Sequence, residues 1–419
     1  MNNIKLIGPF KQIIPMTRLS LKGPITDDQL AICEDAGILI ENGHIHSIGK
    51  YSDVLPKAEE LKAEIIKLEG NHTCLPGFID AHTHICFGGS RANDYAMRNA
   101  GKTYLEIAKA GGGIWDTVTQ TRKATKKELV KSTMKIANRH LKNGVTTLEV
   151  KSGYGLSIDE ELKMLRTIKD ANASISADLI PTCLAAHMLP KDYLGNAEEY
   201  LSEISTELFP ILKEEQLTNR IDAFIEESAF SKNQIAPYFQ KAKEMGFDIT
   251  VHADQFSTSG SEVAVKFGAI SADHLEASAQ KQIELLAKSN VIATALPGAS
   301  LGLGCNFTPA RKILDAGGAL AIASDHNPGS APMGDLLTQA SILGAFEKLS
   351  NAEVLAGVTF RAAAALNLSD RGQLAKGFLA DLSIFHTHDH KEILYNQGAF
   401  KPCMVWKNGE VVFDKHKAP

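Results

Sequence analysis

The stretch PGFIDAHTHICFGG, from Pro76 to Gly89, contains a short apolar run that leads into two closely spaced histidines. The alternation of apolar and polar residues from Ile79 to His84 predicts a buried strand, in which side chains two apart leave the same face. His82 and His84 would then project together, at a spacing that lets two imidazoles bind one metal ion. Two such histidines are weak evidence alone, because an ordinary core or surface pair has the same spacing. The metal hypothesis therefore needs further ligands.

The composition argues against several classes of protein. The chain of 419 residues is long enough for more than one domain, and its net charge of −5 gives no indication of binding to nucleic acid or to a lipid surface. We see no apolar run long enough to span a bilayer and expect no signal peptide. The six cysteines are scattered without a CxxC pair, which is typical of a reducing compartment. The sequence therefore predicts a cytoplasmic protein with no membrane or nucleic-acid partner.

Two hairpin patterns lie near opposite ends of the chain. Apolar runs flank an Asn-Gly pair at Asn42–Gly43 and again at Asn408–Gly409, and this pair is a strong signal for a tight two-residue turn. We therefore expect one small β-sandwich domain built from residues 1–73 and 371–419. Two unrelated surface hairpins would give the same pattern.

Between these hairpins, strand-like and helix-like segments alternate. Seven apolar runs follow the His82 strand, namely Val145–Lys151, Asp178–His187, Arg220–Glu227, Asp248–Asp254, Ala269–Leu275, Val291–Pro297 and Ala319–Asp325. Helix starts in the form of capping boxes lie between them, at Thr125, Ser157, Ser231, Ser259 and Ser350. Eight repeats predict an α/β fold in which residues 74–370 form a (β/α)8 TIM-like barrel. An open doubly wound sheet is the alternative, but no GxGxxG motif follows an early strand.

The connection between the first two strands, residues 89–143, is much longer than the others. It contains the sequence Ala110-Gly111-Gly112-Gly113, which predicts a flexible point. Long connections of this kind often cover a functional site. We expect a cover here, and a plain helical insertion is the alternative.

Polar residues gather where the predicted strands end, which is where a barrel of this type carries its reacting groups. They are His82, His84, Glu149, Lys151, Tyr154, His187, Glu226, Glu227, His252, Asp254, Gln255, Asp273, His274, Asp325, His326 and Asn327. Burying so many polar groups costs several kcal/mol unless they are paired or bound to metal. A functional site is therefore the better interpretation.

A single Zn2+-like ion takes about four donors, and a catalytic site keeps a position open to water. The candidate ligands are His82, His84, His252 and Asp325. His274 is the rival ligand, since spacing alone does not decide between them. Lys151 has two interpretations: a carboxylated lysine that bridges two metal ions or, more commonly, a lysine that reaches solvent or substrate.

The same residues carry a resemblance to the amidohydrolase superfamily. Its features here are the PGFIDAHTH strand, His252, His274, the Ser324–Asp325 pair and the closing segment Lys376–Leu382. Within that superfamily, the chain resembles the imidazolonepropionase family in five segments, namely His84–Arg91, Lys151–Leu156, Ala186–Pro190, Ser271–Leu275 and Asp325–Ser330. The resemblance implies a homodimer with one Zn2+ or Fe ion per subunit in the cytoplasm. It also implies hydrolysis of 4-imidazolone-5-propanoate to N-formimidoyl-L-glutamate, a reaction of histidine degradation.

The resemblance further implies roles for individual residues. It matches the family's metal ligands to His82, His84, His252 and Asp325. It matches the family's substrate contacts to Arg91, Tyr154, His187, Gln255, Asn327, Gly329 and Ser330. Gln255 stands where some members have a glutamate proposed to transfer protons, and a neutral amide cannot act as a general base.

The chemistry of such a reaction agrees with these residues. Opening a cyclic amide needs a nucleophile, stabilisation of an oxyanion and a proton for the departing nitrogen, and a metal ion supplies hydroxide by lowering the pKa of water toward about 7. We expect Asp325 to transfer the proton and His274 to polarise the carbonyl oxygen. Arg91 offers a planar fork for a carboxylate, although a helix-start arginine paired on the surface is the alternative.

Two other functions remain as alternatives. The nearest is another amidohydrolase-superfamily enzyme, such as a nucleobase deaminase or a different cyclic-amide hydrolase, because fold and metal would be unchanged. Arg91 and Tyr154 favour an anionic substrate over a neutral nucleobase. A catalytically inactive metal-binding or ligand-binding protein belongs to a different class, and the filled ligand positions argue against it.

Overall fold

Two eight-stranded sheets organise the part of the chain that the structure describes. The structure is a computed structural model that describes residues 3–103, 106–107 and 110–417. In these ranges, no helix has the length and hydrophobicity needed to cross a bilayer. The strands are β1 (Ile4–Ile13), β2 (Cys33–Glu41), β3 (His44–Lys50), β4 (Glu64–Lys67), β5 (Thr73–Pro76), β6 (Phe78–Asp80), β7 (Val145–Lys151), β8 (Asp178–Ala186), β9 (Arg220–Ala223), β10 (Asp248–Ala253), β11 (Ser271–His274), β12 (Ile292–Ala295), β13 (Ala319–Ile322), β14 (Leu382–Phe385), β15 (Met404–Lys407) and β16 (Glu410–Asp414).

Helices join the strands and pack against them. They are α1 (Tyr51–Glu60), α2 (Ala92–Asn99), α3 (Ile114–Lys123), α4 (Lys126–Lys142), α5 (Ile158–Asn172), α6 (Ala197–Glu203), α7 (Phe209–Glu214), α8 (Lys232–Glu244), α9 (Gly260–Phe267), α10 (Gln280–Ala287), α11 (Pro297–Leu303), α12 (Ala310–Asp315), α13 (Leu336–Glu347), α14 (Asn351–Gly357), α15 (Phe360–Ala365) and α16 (Lys391–Tyr395). A short 3-10 turn covers Asp27–Gln29, and a π-helical turn covers Ile204–Leu208 between α6 and α7.

The barrel consists of β6 to β13, and neighbouring strands in the sheet follow chain order. All the pairings between them are parallel. This arrangement confirms the predicted (β/α)8 barrel and excludes the open doubly wound sheet, in which strand order reverses at a switch point. Because the C-terminal ends of parallel strands meet at one edge, the residues that follow them are brought together there.

The first barrel strand is shorter than the sequence predicts, because it ends at Asp80. Beyond that residue the chain makes single backbone hydrogen bonds to both neighbours instead of a continuous ladder. The N–H of Lys151 donates to the carbonyl of Thr83 at 2.9 Å, and the N–H of Asp325 donates to the carbonyl of His82 at 3.1 Å. The N–H of His84 donates to the carbonyl of His326 at 2.9 Å. His82 and His84 therefore lie in the segment that closes the barrel.

The second sheet contains both predicted hairpins. Its strand order is β16-β15-β14-β5-β1-β2-β3, with β4 beside β1. Both Asn-Gly pairs have positive φ, with 49° and 80° at Asn42–Gly43 and 50° and 74° at Asn408–Gly409, as a type I′ turn requires. The two ends share one core that includes Ile7, Phe10, Ile38, Ile384 and Trp406. The hairpins are therefore not independent, while the domain boundaries at residues 73/74 and 370/371 stay predictions.

The helix starts agree with the predicted capping residues, although not every capping box forms. Thr125, Ser231 and Ser350 each form a complete box. Ser157 and Ser259 are the N-cap residues of their helices but make no side-chain cap bond. The glutamates three residues further along pair with lysines instead. Glu160 pairs with Lys163, and Glu262 lies 2.7 Å from Lys281.

Candidate active site

Three histidines at the C-terminal edge of the barrel place their Nε2 atoms around a common point. The Nε2 atom of His84 lies 3.2 Å from that of His82 and 3.3 Å from that of His252. The Oδ1 atom of Asp325 lies 3.5 Å from His84 Nε2 and 3.7 Å from His82 Nε2. Four tetrahedral ligands about 2.1 Å from a zinc ion lie roughly 3.4 Å from one another. These four residues, called here the metal-ligand cluster, therefore fit a single divalent ion.

Carboxylates behind the histidines determine which ring nitrogen faces the common point. Asp273 Oδ2 lies 2.7 Å from His82 Nδ1, and Asp222 Oδ2 lies 2.9 Å from His252 Nδ1. His82 Nδ1 therefore donates its proton to Asp273, and the Asp222 carboxylate is close enough to His252 Nδ1 to favour the proton on that nitrogen. Partners of this kind orient metal-binding imidazoles. Burial lowers the pKa of all three histidines of the cluster, so their rings are neutral. The Nε2 lone pairs of His82 and His252 are thus available to a cation.

Asp325 and His274 adopt left-handed backbone conformations beside these atoms. φ is 50° at Asp325 and 85° at His274, and such conformations cost about 1–3 kcal/mol and cluster at active sites. Burial raises the pKa of Asp325 to about 6. Burial also lowers the pKa of His274, but the Glu276 carboxylate, 3.3 Å from its Nδ1, outweighs this effect and the pKa is raised. Both side chains are suited to proton exchange near neutral pH.

The side chain of Lys151 is completely buried and reaches neither solvent nor the cavity. Its Nζ atom lies 2.8 Å from Glu149 Oε2 and 2.8 Å from Asp222 Oδ2. Burial lowers the pKa of Lys151, but the two carboxylates outweigh burial and the pKa is raised, so the amine is a cation. Carboxylation needs a neutral amine and would add a negative charge beside two others. The expected contact of Lys151 with solvent or substrate is therefore wrong, and its neighbours argue against a carboxylated lysine that bridges two metal ions.

A cavity of about 550 Å3 opens onto the metal-ligand cluster. Its lining includes most of the residues proposed from the sequence, namely His84, Arg91, Tyr154, His187, His252, Gln255, His274, Asp325, Asn327, Gly329 and Ser330. His82 is completely buried and does not line it. Arg98, Lys102 and Ile107 of the 89–143 connection also line the cavity, as a cover requires. The structure brings the proposed residues together, and their individual roles stay predictions.

The guanidinium of Arg91 is held by a buried carboxylate. Its Nε donates to Asp94 Oδ2 at 2.8 Å, and the same oxygen accepts the N–H of Gly113 at 2.8 Å. A Cβ at Gly112 would collide with the other oxygen of Asp94, which explains a glycine there. The Arg91 side chain is only 12% exposed and lines the cavity. Arg91 is therefore not a surface arginine, and its terminal nitrogens remain for a ligand.

Tyr154 and His187 lie next to each other in the cavity wall, with ring centroids 5.5 Å apart. The Nδ1 atom of His187 lies 2.9 Å from the carbonyl oxygen of Gly153. Burial lowers the pKa of His187 to about 4, so at neutral pH the ring is uncharged and Nδ1–H is the donor. Its Nε2 atom is then a hydrogen-bond acceptor for a ligand.

Asn327 organises the loop after the last barrel strand. Its Oδ1 accepts the N–H groups of Gly329 and Ser330 at 2.8 Å each, and its Nδ2 donates to the carbonyl of Asp325 at 2.7 Å. Gln255, after β10, is partly exposed in the cavity wall. The loop next to Asp325 is thus shaped mainly by one amide side chain.

The carboxylate of the fourth barrel strand that supports the site was not among the predicted residues. Glu226 and Glu227 were predicted there, but the strand ends earlier and Glu227 is exposed, while Glu226 accepts the N–H of Phe256 at 2.8 Å. The carboxylate that contacts a metal-binding histidine is Asp222, inside the strand. The available signal was the alternation of Arg220 and Asp222 within an otherwise apolar run, which indicates charged side chains on one buried face.

Two further buried carboxylates support the cavity from helices. Glu161, in α5, accepts the N–H groups of Gly155 and Leu156 at 2.8 Å each and so holds the loop that carries Tyr154. Asp94, in α2, holds Arg91. Acidic residues in the first turn of a helix are common for reasons of helix electrostatics alone. The sequence therefore gave no means to distinguish these two.

Comparison with known proteins identifies the family. The Amidohydrolase family profile matches residues 73–412. An imidazolonepropionase from Bacillus cytotoxicus is 40% identical over 390 residues, which cover 92% of this chain and 91% of that protein. The chain belongs to the amidohydrolase family, in its imidazolonepropionase branch. An imidazolonepropionase from Bacillus mycoides is similar to this amidohydrolase to nearly the same degree, at 39% identity over 390 residues, which cover 92% of this chain and 91% of that protein.

Solved structures share the fold of this amidohydrolase. A triazine hydrolase variant has a TM-score of 0.75 and 16% identity, and the match covers 100% of this chain and 96% of that chain. A mutant atrazine chlorohydrolase from Arthrobacter aurescens, complexed with zinc and atraton, has a TM-score of 0.69 and 17% identity, covering 98% and 95%. Guanine deaminase from C. acetobutylicum, with bound guanine, has a TM-score of 0.68 and 18% identity, covering 98% and 100%. These structures support the barrel and do not address the substrate. The family and the three converging histidines together identify a metal site.

Proposed function

We propose that this amidohydrolase opens the ring of 4-imidazolone-5-propanoate with water and releases N-formimidoyl-L-glutamate, a step of histidine degradation. The relatives named imidazolonepropionase support this substrate. The observation that carries the proposal is one cavity that opens onto the metal-ligand cluster and also contains a guanidinium suited to a carboxylate. The proposed cofactor is one Zn2+ or Fe ion per subunit, and three imidazoles with one carboxylate suit either metal.

Arg91 distinguishes this substrate from a nucleobase. Its terminal nitrogens form a planar fork that binds a carboxylate with two parallel hydrogen bonds, and the substrate's propionate is such a group. Tyr154 and His187 supply an O–H donor and a neutral ring acceptor in the same cavity. A neutral purine or pyrimidine has no use for the guanidinium, so the deaminase alternative is not favoured.

The chain's own side chains carry the proton transfers. When bound, the ion lowers the pKa of a water molecule and so provides a nucleophile at neutral pH. Asp325 takes a proton from the attacking water and delivers it to the ring nitrogen as the amide C–N bond breaks. His274 donates a hydrogen bond to the carbonyl oxygen as negative charge develops on it. The water oxygen ends in the new carboxylate, and Gln255 hydrogen-bonds the ring without transferring a proton.

The direct test uses the purified, metal-loaded protein. Loss of imidazolonepropionate absorbance should accompany formation of N-formimidoyl-L-glutamate, and elemental analysis should give one metal ion per chain. Removing the metal with a chelator should abolish turnover, and returning Zn2+ or Fe2+ should restore it. A fully loaded protein that leaves imidazolonepropionate intact but releases ammonia from a purine would favour a deaminase.

The proposal also includes a homodimer in the cytoplasm. All six cysteines are free thiols, which suits a reducing compartment. Sedimentation equilibrium should give twice the chain mass of 45.3 kDa. A single-chain mass across a broad range of concentrations would contradict the dimer.

A further inference from the structure

Lys151 is a buried cation that contacts the carboxylates behind two metal-binding histidines. Its Nζ atom lies 2.8 Å from Oδ2 of Asp222 and 3.7 Å from Oδ2 of Asp273. The same Oδ2 atoms contact His252 Nδ1 at 2.9 Å and His82 Nδ1 at 2.7 Å. Each of these oxygens therefore lies between the ammonium and one imidazole.

The main chain of Lys151 is connected to the same site. Its N–H donates to the carbonyl of Thr83 at 2.9 Å, and Thr83 lies between His82 and His84 in the sequence. The backbone of Lys151 thus restrains the segment that carries His82 and His84. Its side chain restrains, through the two carboxylates, the rings of His82 and His252. The side chain of Glu149, 2.8 Å from Nζ on the same strand, completes the surroundings of the ammonium.

Stability alone is a poor explanation for this arrangement. A lysine that is completely out of contact with water must offset a large desolvation cost, and apolar residues of similar volume commonly stabilise the fold as well or better. The charged side chains around Lys151 also include more carboxylates than cations, even when Arg220, 3.6 Å from Glu149, is counted. Such a group is worth retaining where it fixes the geometry of something else.

We propose that Lys151 is a positioning residue for the metal centre, whose ammonium fixes Asp222 and Asp273 so that they hold His252 and His82 in the metal-binding orientation. The inference deepens the proposed function and rests on its metal site. It is independent of which substrate the enzyme uses. Partners one step behind a metal ligand typically change metal affinity or activity by about 10- to 100-fold when they are removed. Lys151 acts through two such partners at once.

The test compares Lys151→Met with the parent protein in a Zn2+ titration. Metal-free protein is titrated with Zn2+ in competition with a chromophoric chelator, and the absorption spectrum of the Co2+-loaded protein reports the ligand geometry. We expect Zn2+ affinity to fall by about tenfold or more, with an altered Co2+ spectrum. With imidazolonepropionate we expect a lower kcat and an unchanged KM, because Arg91 and Tyr154 are untouched. The proposal would be overturned if Zn2+ affinity and kcat both stayed within twofold of the parent values and the Co2+ spectrum were unchanged.

Lys407 offers a matched control. It is also a buried lysine at the end of a strand, 2.9 Å from Asp381 and 2.8 Å from Asp178, but it belongs to the second sheet. Lys407→Met should lower Tm without changing Zn2+ affinity. An equal loss of Zn2+ affinity in both variants would show a general effect of instability and would overturn the positioning role.

A second variant covers the case in which Lys151→Met does not fold. The double variant Lys151→Met with Glu149→Gln removes one charge of each sign, so the summed formal charge of these buried side chains is unchanged. If the ammonium positions the carboxylates, the double variant still binds Zn2+ about tenfold more weakly. Recovery of parental affinity would show that only charge balance matters and would overturn the proposal. Because the titration needs no substrate, a parent that binds Zn2+ but leaves imidazolonepropionate intact would refute the proposed reaction alone.

Discussion

The metal-ligand cluster and the cover over the cavity hold their functional groups by different kinds of contact. In the cluster, backbone hydrogen bonds join the closing segments of the barrel, and buried carboxylates fix two of the imidazoles. In the cover, residues 89–143, Arg91 precedes α2 as its N-cap residue and is fixed by Asp94 in the first turn of that helix. A metal ligand therefore moves only if several strands move, whereas Arg91 depends on one carboxylate. We expect substitutions in the cluster to affect chemistry and substitutions in the cover to affect substrate affinity.

The largest effect is expected at Asp325, where a substitution should change the rate of the chemical step and leave substrate affinity largely unchanged. Asp325→Asn keeps the shape of the side chain but cannot take a proton, so kcat should fall by about 10³-fold, within the range for a lost general acid–base group. Steady-state turnover of imidazolonepropionate measures this, with circular dichroism to show that the fold is kept and elemental analysis to show the metal content. Full activity would remove Asp325 from proton transfer.

The next largest effect is expected at Arg91. Arg91→Met keeps most of the aliphatic length but loses the charged fork, and hydrogen bonds to charged groups are worth about 1.5–3 kcal/mol. KM for imidazolonepropionate should therefore rise by about 10- to 100-fold with little change in kcat. A KM equal to the parent value would refute the carboxylate assignment.

A smaller effect on the same parameter is expected at Asp94. Asp94→Asn leaves the Nε donor of Arg91 with a weaker, neutral acceptor, so KM should rise by about tenfold while kcat is largely kept. Glu106→Gln is the matched control, because Glu106 lies in the same cover but its exposed carboxylate contacts Lys102 at 3.0 Å and accepts the N–H of Thr103 at 2.8 Å instead of contacting Arg91. If the two variants have the same KM, Asp94 does not support Arg91.

The smallest effect is expected at Gln255. Gln255→Glu keeps the size of the side chain and one acceptor oxygen, so kcat/KM should stay within about fivefold of the parent value, the equivalent of one neutral hydrogen bond. Steady-state kinetics on the metal-loaded variant provides the measurement. Complete inactivity would show that the amide does more than hydrogen-bond the ring.

The barrel and the converging histidines were predictable because their signals are local. Alternation of strands with capped helices specifies the order of elements, and parallel order brings the strand ends together whatever the loops do. The spacing of His82 and His84 survives even though the strand ends at Asp80, since the extended segment beyond it still directs both rings to one side. The positions of His252 and Asp325 at strand ends made them candidate partners, and the resemblance to a family matched the same residues.

The roles of the supporting carboxylates were not predictable, because each role depends on contacts between distant segments. Asp222 resembles any polar residue in a strand until the structure brings it to His252, and Asp94 resembles any acidic residue at a helix start. Lys151 was misread for the same reason. Its charge suggested solvent or a second metal ion, while its actual neighbours are carboxylates on three other strand positions.

The hydrogen bonds that close the barrel form a seam between the segments that follow its first and last strands, and candidate metal ligands lie on either side of it. His82 and His84 belong to one edge of that seam and Asp325 to the other, and the backbone bond from Asp325 N–H to the His82 carbonyl crosses it at 3.1 Å. An ion bound by all three residues would therefore cross-link the two parts of the barrel that are farthest apart along the chain. Because a ligand that binds only the folded state adds to its stability, depletion of the ion should loosen the seam. A shortage of metal in the cell would then lower the amount of folded enzyme as well as its turnover.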